Sequence, residues 1–82
     1  MEVPRFAWDE NKALANRQKH GVTFEEAKTV FYDNYACLVA DPDASTAEER
    51  FLLLGLSSRL RLLLVCHCYR EAGQQLRIIF SP

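Results

Sequence analysis

The feature that most constrains the fold is a helix stop followed at once by a helix start, in the stretch KHGVTFEEA at residues 19–27. Gly21 can take the left-handed conformation that ends a helix. Thr23 and Glu26 have the spacing of a capping box, in which each side chain bonds the backbone N–H of the other residue. The stretch therefore predicts two helices joined by a tight turn.

The flanking segments extend this prediction. Asp9 is a good N-cap for a first helix over residues 10–19, and a second helix is expected over 24–32. Apolar residues then follow the pattern of strands at 35–40, 49–56, 60–69 and 75–80, with a polar loop at 41–47 and a possible short strand at 5–8. We expect an α+β fold in which two N-terminal helices pack on an antiparallel sheet of about four strands.

Length and charge limit the classes of protein to consider. The 82 residues suit one domain, residues 1–82, and the net charge of −1 argues against a protein that coats nucleic acid. The last third is nevertheless locally basic, with Arg59, Arg61, Arg70 and Arg77 against Glu71. Three cysteines do not form a disulfide framework, and no signal peptide or membrane span is visible, so a cytoplasmic location is expected.

Strand alternation groups several polar side chains on one predicted face. The apolar set Leu62, Leu64 and Cys66 is expected to pack against the helices. The opposite, open face would then gather the side chains of two adjacent strands: Arg61, His67, Tyr69 and Arg77.

Such a face suits metal-free cleavage of RNA, because RNA supplies its own nucleophile in the 2′-hydroxyl group. His67 is the candidate for proton transfer, and Arg61 and Arg77 could stabilise the charge on the phosphorane. Further candidates for RNA contacts are Tyr69, Arg59, Lys19 and His20. The alternative is structural: arginine and tyrosine are ordinary residues on a solvated sheet face, and Lys19 and His20 suit the negative end of a helix dipole.

The triplet Cys66-His67-Cys68 raises the question of a metal site. On a strand the two thiols point to one face and the imidazole to the other, so the three cannot converge on one ion. We expect buried thiols there, and neither a metal nor another cofactor.

Beyond this physical reading, the chain resembles the BrnT family of toxins. The segments that carry the resemblance are FAWD at 6–9, KHGVTFEEA at 19–27, VFYD at 30–33, EERF at 48–51, GLS at 55–57, RLLLV at 61–65 and LRII at 76–79. The resemblance implies a RelE-like fold and a bacterial type II toxin–antitoxin system. The toxin would be a metal-independent ribonuclease that inhibits translation. A BrnA-like antitoxin would neutralise it and would supply the only link to DNA.

The last strand departs from the family pattern. An R-[IL]-I-S-A-R-like motif and a basic segment are typical there, whereas this chain has Arg77 followed by IIFSP. The second arginine and the basic tail are absent, so the sequence suggests a domain truncated at its C-terminus. The alternative function is a catalytically impaired toxin fold that only binds the antitoxin.

Overall fold

Helices precede most of the strands in the computed structural model, which describes residues 5–40 and 49–82. The predicted loop at 41–47 lies outside the described residues. The described elements are β1 (Arg5–Ala7), α1 (Glu10–His20), α2 (Phe24–Thr29), a 3₁₀ turn (Val30–Tyr32), β2 (Cys37–Ala40), β3 (Phe51–Leu56), β4 (Leu62–Arg70) and β5 (Gln75–Phe80). The α+β class is therefore confirmed.

The sheet differs from the predicted one in strand number and direction. It has five strands in the order β1-β5-β4-β3-β2, and β1 runs parallel to β5. The prediction of an antiparallel sheet of about four strands is therefore wrong in this detail, although the possible N-terminal strand is present. Parallel pairing needs a long crossover connection, and the helices and three strands between β1 and β5 supply it.

The capping residues fix the two helices as the sequence predicted, with one difference. Asp9 Oδ1 accepts from the backbone N–H of Asn11 at 2.8 Å, and Gly21 ends α1 at φ 70°. Thr23 Oγ1 accepts from the N–H of Glu26 at 3.1 Å. The reciprocal half of the capping box is not formed, because the Glu26 carboxylate binds side chains of the β3–β4 hairpin instead.

The core lies between the helices and one face of the sheet. Its buried apolar side chains are Val22, Phe24, Ala27, Val30, Leu53, Leu63, Val65, Leu76 and Ile78. The predicted core positions of α2 and of Leu76 and Ile78 are thus confirmed. Among the described residues, none of the helices is both long and apolar enough to cross a membrane.

The predicted face of β4 is reversed. Leu63 and Val65 point toward the helices, whereas Leu62 on the other face is 66% exposed. Alternation could not decide between the two faces, since both are apolar along this strand. The register decides it, because Val65 pairs with the core residue Leu53 and His67 pairs with Ile78.

Candidate functional site

Arg61 is held in a hydrogen-bonded ion pair at the end of the sheet nearest the turn between α1 and α2. Its Nε donates to Oε2 of Glu26 at 2.9 Å, and its Nη2 donates to Oε1 of Glu26 and to the carbonyl of Gly21. Ser57 donates to the same carboxylate at 2.6 Å. The Arg61 hydrogen bond holds the pKa of Glu26 below its ordinary value, and the pKa of Arg61 is raised in turn. Arg61 thereby ties the start of β4 to α2 and to the turn that follows α1.

His67 lies in the protein interior. It is 0% exposed, and its ring packs against the rings of Phe31, Phe51 and Tyr69, with centroids 4.8–6.0 Å apart. Nδ1 lies 3.1 Å from the carbonyl oxygen of Val65. A carbonyl only accepts, so Nδ1 carries the proton, and Nε2 has no hydrogen-bond partner among residues 5–40 and 49–82. Burial lowers the pKa of the imidazole, which favours its neutral form.

The open face that was predicted to gather Arg61, His67, Tyr69 and Arg77 does not exist in the fold. Tyr69 pairs with the core residue Leu76 and is 39% exposed, on the same side as the helices. Arg77 pairs with Cys68 and therefore points to the opposite side of the sheet from His67. The prediction that the four side chains share one solvent-exposed face is wrong, and their predicted roles stay predictions.

Other predicted residues are brought together at the turn. Lys19 and His20 form the exposed end of α1, as predicted. Arg61 contacts the carbonyl of Gly21, the next residue in the chain. Arg59 lies in the β3–β4 hairpin, where its backbone N–H donates to Ser57. Arg61 thus contacts the backbone of the turn that directly follows Lys19 and His20.

A groove runs between this end of α1 and the end of β5. It encloses about 510 Å³ and is lined by Lys12, Ala15, Asn16, Lys19, His20, Ile79, Phe80 and Pro82. None of the described residues that line it is acidic, and Phe80 is 40% exposed. We call it the basic groove. It combines cations with an exposed aromatic surface, which is the combination that binds single-stranded nucleic acid.

Asn16 joins the two walls of the basic groove. Its buried side-chain amide donates to the carbonyls of Val22 and Ser81, at 3.0 and 2.8 Å, and its Oδ1 accepts from the N–H of Ser81 at 2.8 Å. The end of β5 is thereby fixed against α1. The sequence analysis missed this role. A signal was present, because asparagine is an unfavourable residue in the middle of a helix unless its side chain has a particular partner.

The sequence analysis also missed Lys12 and Phe80 as parts of the basic groove. Lys12 and Lys19 are seven residues apart, which places them on one face of a helix, and this spacing could have suggested the pair. Phe80 was expected to pack against the helices because it alternates with Leu76 and Ile78. A register shift between β4 and β5 leaves Ile79 without a paired residue and breaks that alternation.

A comparison with known protein families shows to which family the chain is related. Residues 8–81 match the family described as "Ribonuclease toxin, BrnT, of type II toxin-antitoxin system". The chain belongs to the BrnT family. The match covers α1, α2 and the sheet from β2 to β5, so the basic groove lies within the BrnT domain. Among curated proteins, no match to the chain was found. Membership implies a ribonuclease toxin that acts in a type II toxin–antitoxin system and therefore has an antitoxin partner.

No group of three or more metal-binding side chains is found within residues 5–40 and 49–82. Cys66 and Cys68 are buried, and His67 points to the other side of the sheet, so this triplet does not converge. The geometry of the triplet thus agrees with the argument from alternation.

Proposed function

We propose that this BrnT toxin is an endoribonuclease that binds single-stranded RNA in the basic groove and cleaves it without a metal ion, which blocks translation. The observation that carries the proposal is the position of the groove inside the matched BrnT domain, with two lysines, one histidine and an exposed phenylalanine. Lys12 and Lys19 would bind phosphates, and a base would stack on Phe80.

The reaction needs only one proton acceptor and one proton donor. The 2′-oxygen attacks phosphorus as its proton is removed, the bond from phosphorus to the 5′-oxygen breaks, and that oxygen takes up a proton. The products are a 2′,3′-cyclic phosphate and a 5′-hydroxyl. His20 is the exposed histidine of the groove, and histidine is the side chain best suited to exchange protons near neutral pH.

The catalytic roles predicted for Arg61, His67 and Arg77 remain hypotheses, and the position of each residue in the fold bears on its role differently. Arg61 is better suited to holding the turn beside His20 in place than to stabilising the charge on the phosphorane. Its guanidinium already binds Glu26 and the carbonyl of Gly21, the residue after His20. His67 has no exposed surface through which RNA could reach it. Arg77 is half-buried on the other side of the sheet, so it would contact RNA outside the groove.

A cleavage assay tests the proposal. The purified chain is incubated in EDTA with an end-labelled oligoribonucleotide and with the matching oligodeoxynucleotide. We expect cleavage of the RNA alone, with cyclic phosphate ends, because DNA lacks the attacking hydroxyl group. The double variant K12A/K19A should lower RNA affinity by about tenfold, since it removes two phosphate contacts. Arg17→Ala on the same helix is the control. Uncleaved RNA would contradict the proposal.

The second candidate function is a catalytically impaired toxin that only binds its antitoxin. The positions of three predicted residues support it, because Arg61 binds Glu26, His67 is buried and Arg77 points to the opposite side of the sheet from His67. It predicts a stable complex with the antitoxin but neither RNA cleavage nor growth arrest when the chain is expressed alone. We propose that the antitoxin is BrnA-like in both cases, and that it carries the DNA-binding part of the complex.

A further inference from the structure

The side of the sheet that faces away from the helices is apolar and uncovered. Val39 is 52% exposed, Leu54 42%, Leu56 46% and Leu62 66%. These four side chains, which we call the leucine face, lie on the neighbouring strands β2, β3 and β4, and Leu56 is directly opposite Leu62. Half-exposed side chains of this size leave on the order of 300 Å² of apolar surface, which is the size of the largest apolar patch on many monomeric proteins, and such patches are often functional.

The leucine face continues to an open edge of the sheet. Within the described residues β2 pairs only with β3, and all four residues of Cys37–Ala40 are exposed. The strand contains no proline and no lysine, and its pairing with β3 has no register shift, so these three ways of protecting a sheet edge are absent from β2. An extended segment of another protein could therefore add to this edge and cover the adjoining leucines.

We propose that the leucine face is the surface on which the antitoxin docks, through an uncharged segment rich in aliphatic side chains. This inference rests on the assignment of the chain as a type II toxin, which implies an antitoxin. The leucine face determines which chemistry the antitoxin segment needs. None of the four side chains of the face carries a charge, so a charged antitoxin residue buried against them would be unpaired and costly.

A second copy that pairs edge to edge through β2 covers this surface less completely. Two copies paired edge to edge through β2 would bury Leu38 and Val39. They would leave Leu54, Leu56 and Leu62 exposed in both copies, because these residues lie on the inner strands β3 and β4. A partner that adds to the edge and also crosses the sheet covers the whole leucine face.

The leucine face and the basic groove are different surfaces. The groove lies between α1 and the end of β5, whereas the leucine face lies across β2, β3 and the start of β4. Antitoxin affinity and RNA cleavage should therefore respond to different substitutions.

The experiment measures both properties in the same variants. The antitoxin encoded next to the toxin gene is titrated against the purified chain, and RNA cleavage is assayed separately. The double variant L56T/L62T keeps strand-forming residues and should weaken antitoxin binding about 30-fold, because two apolar contacts are lost. Leu62→Glu should weaken it further, and Leu14→Gln, an exposed leucine on α1, should leave it unchanged. Circular dichroism confirms that each variant is folded.

Each outcome decides the proposal. Weaker antitoxin binding by L56T/L62T and L62E, with cleavage retained, supports it. Unchanged affinity in both variants overturns it, as does a wild-type chain that does not bind this antitoxin. A chain that is dimeric alone by light scattering, and monomeric as L62E, also overturns it, since the face would then be a self-interface. Absence of RNA cleavage by the wild-type chain would instead contradict the proposed ribonuclease and leave the binding result interpretable.

Discussion

At the scale of single residues, two buried titratable side chains, Glu26 and His67, make their contacts inside the fold. Glu26 is 6% exposed and binds Arg61 and Ser57, while His67 is fully buried among aromatic rings. Sequence spacing correctly predicted that Thr23 caps α2, because capping is local. It could not predict the partners of Glu26, which are distant in the chain and approach only when β4 packs beside the helices.

Burial of His67 predicts that acid destabilises the protein. Its pKa in the folded state is lowered from the ordinary 6.5, so the unfolded chain binds more protons than the folded chain in the range below 6.5. The stabilising effect of the neutral imidazole is complete above that value and is lost as the pH falls toward the folded pKa. We expect the Tm of the wild type to fall between pH 7 and pH 5, measured by differential scanning calorimetry.

His67→Leu should remove most of this dependence, because leucine has a similar volume and does not titrate. His20→Gln is the control, since it replaces the exposed histidine at the end of α1. A wild-type Tm that stays constant from pH 7 to pH 5 would show that His67 is hydrated or protonated in the native state.

Glu26 gives a second prediction in a different pH range. Because its hydrogen bond with Arg61 lowers the carboxyl pKa from the ordinary 4.5, the stability it supplies is present above 4.5 and is lost as the pH falls through the folded pKa. Glu26→Gln should lower Tm at pH 7 by roughly 5–10 °C, since the charged hydrogen bonds are weakened. The difference in Tm from wild type should shrink below pH 4.

Glu25→Gln is the matched control, because Glu25 is the exposed neighbour in the first turn of α2. Equal effects of the two substitutions at pH 7 would mean that the ion pair with Arg61 contributes nothing beyond the helix dipole.

At the scale of elements, close packing between β3 and the 3₁₀ turn depends on Gly55. A Cβ at this position would lie 2.9 Å from Ala36 Cβ, 2.9 Å from Asp33 Oδ2 and 3.0 Å from Val30 Cγ1. Asp33 also accepts from the backbone N–H of Leu56 at 2.8 Å, which fixes the turn to the strand. The glycine therefore lets the helical layer approach the sheet.

Gly55→Ala should destabilise the protein by about 1–3 kcal/mol, because the added methyl group overpacks this contact. Urea unfolding measures the change. The double variant G55A/A36G should recover part of the loss, since removing the Ala36 methyl group leaves room for the new one. A G55A chain as stable as wild type would show that the turn moves away from β3 at little cost.

The helices and strands were largely predictable from the sequence. The pairing of β1 and the side of β4 that packs against the helices were not. Caps and apolar spacing correctly indicated two helices and the strands after them. The parallel pairing of β1 with β5 depends on contacts between the two ends of the chain, which no local pattern encodes. The face of β4 was ambiguous because Leu62 and Leu63 are equally apolar, and only pairing with Leu53 and Ile78 resolves it. For this reason the prediction that the catalytic candidates share one solvent-exposed face was wrong.

At the scale of the whole molecule, we propose that RNA and the antitoxin bind to different surfaces. The basic groove is the proposed surface for RNA, and the leucine face is the proposed surface for the antitoxin. The ion pair of Arg61 with Glu26 and the buried His67 lie outside the residues that line either surface. Family motifs in the sequence correctly indicated a BrnT toxin. The groove could not be foreseen, because it forms where β5 meets α1 and Asn16 joins them.

The most direct test of the central claim compares the two histidines in RNA cleavage. The account predicts that His20→Gln lowers kcat at least about 100-fold with little change in KM, because a proton-transfer group of the basic groove is lost. His67→Leu, assayed at a temperature where it is fully folded, should keep kcat within a few-fold of wild type. The reverse pattern, with cleavage lost in H67L and retained in H20Q, would contradict the assignment of the basic groove as the active site.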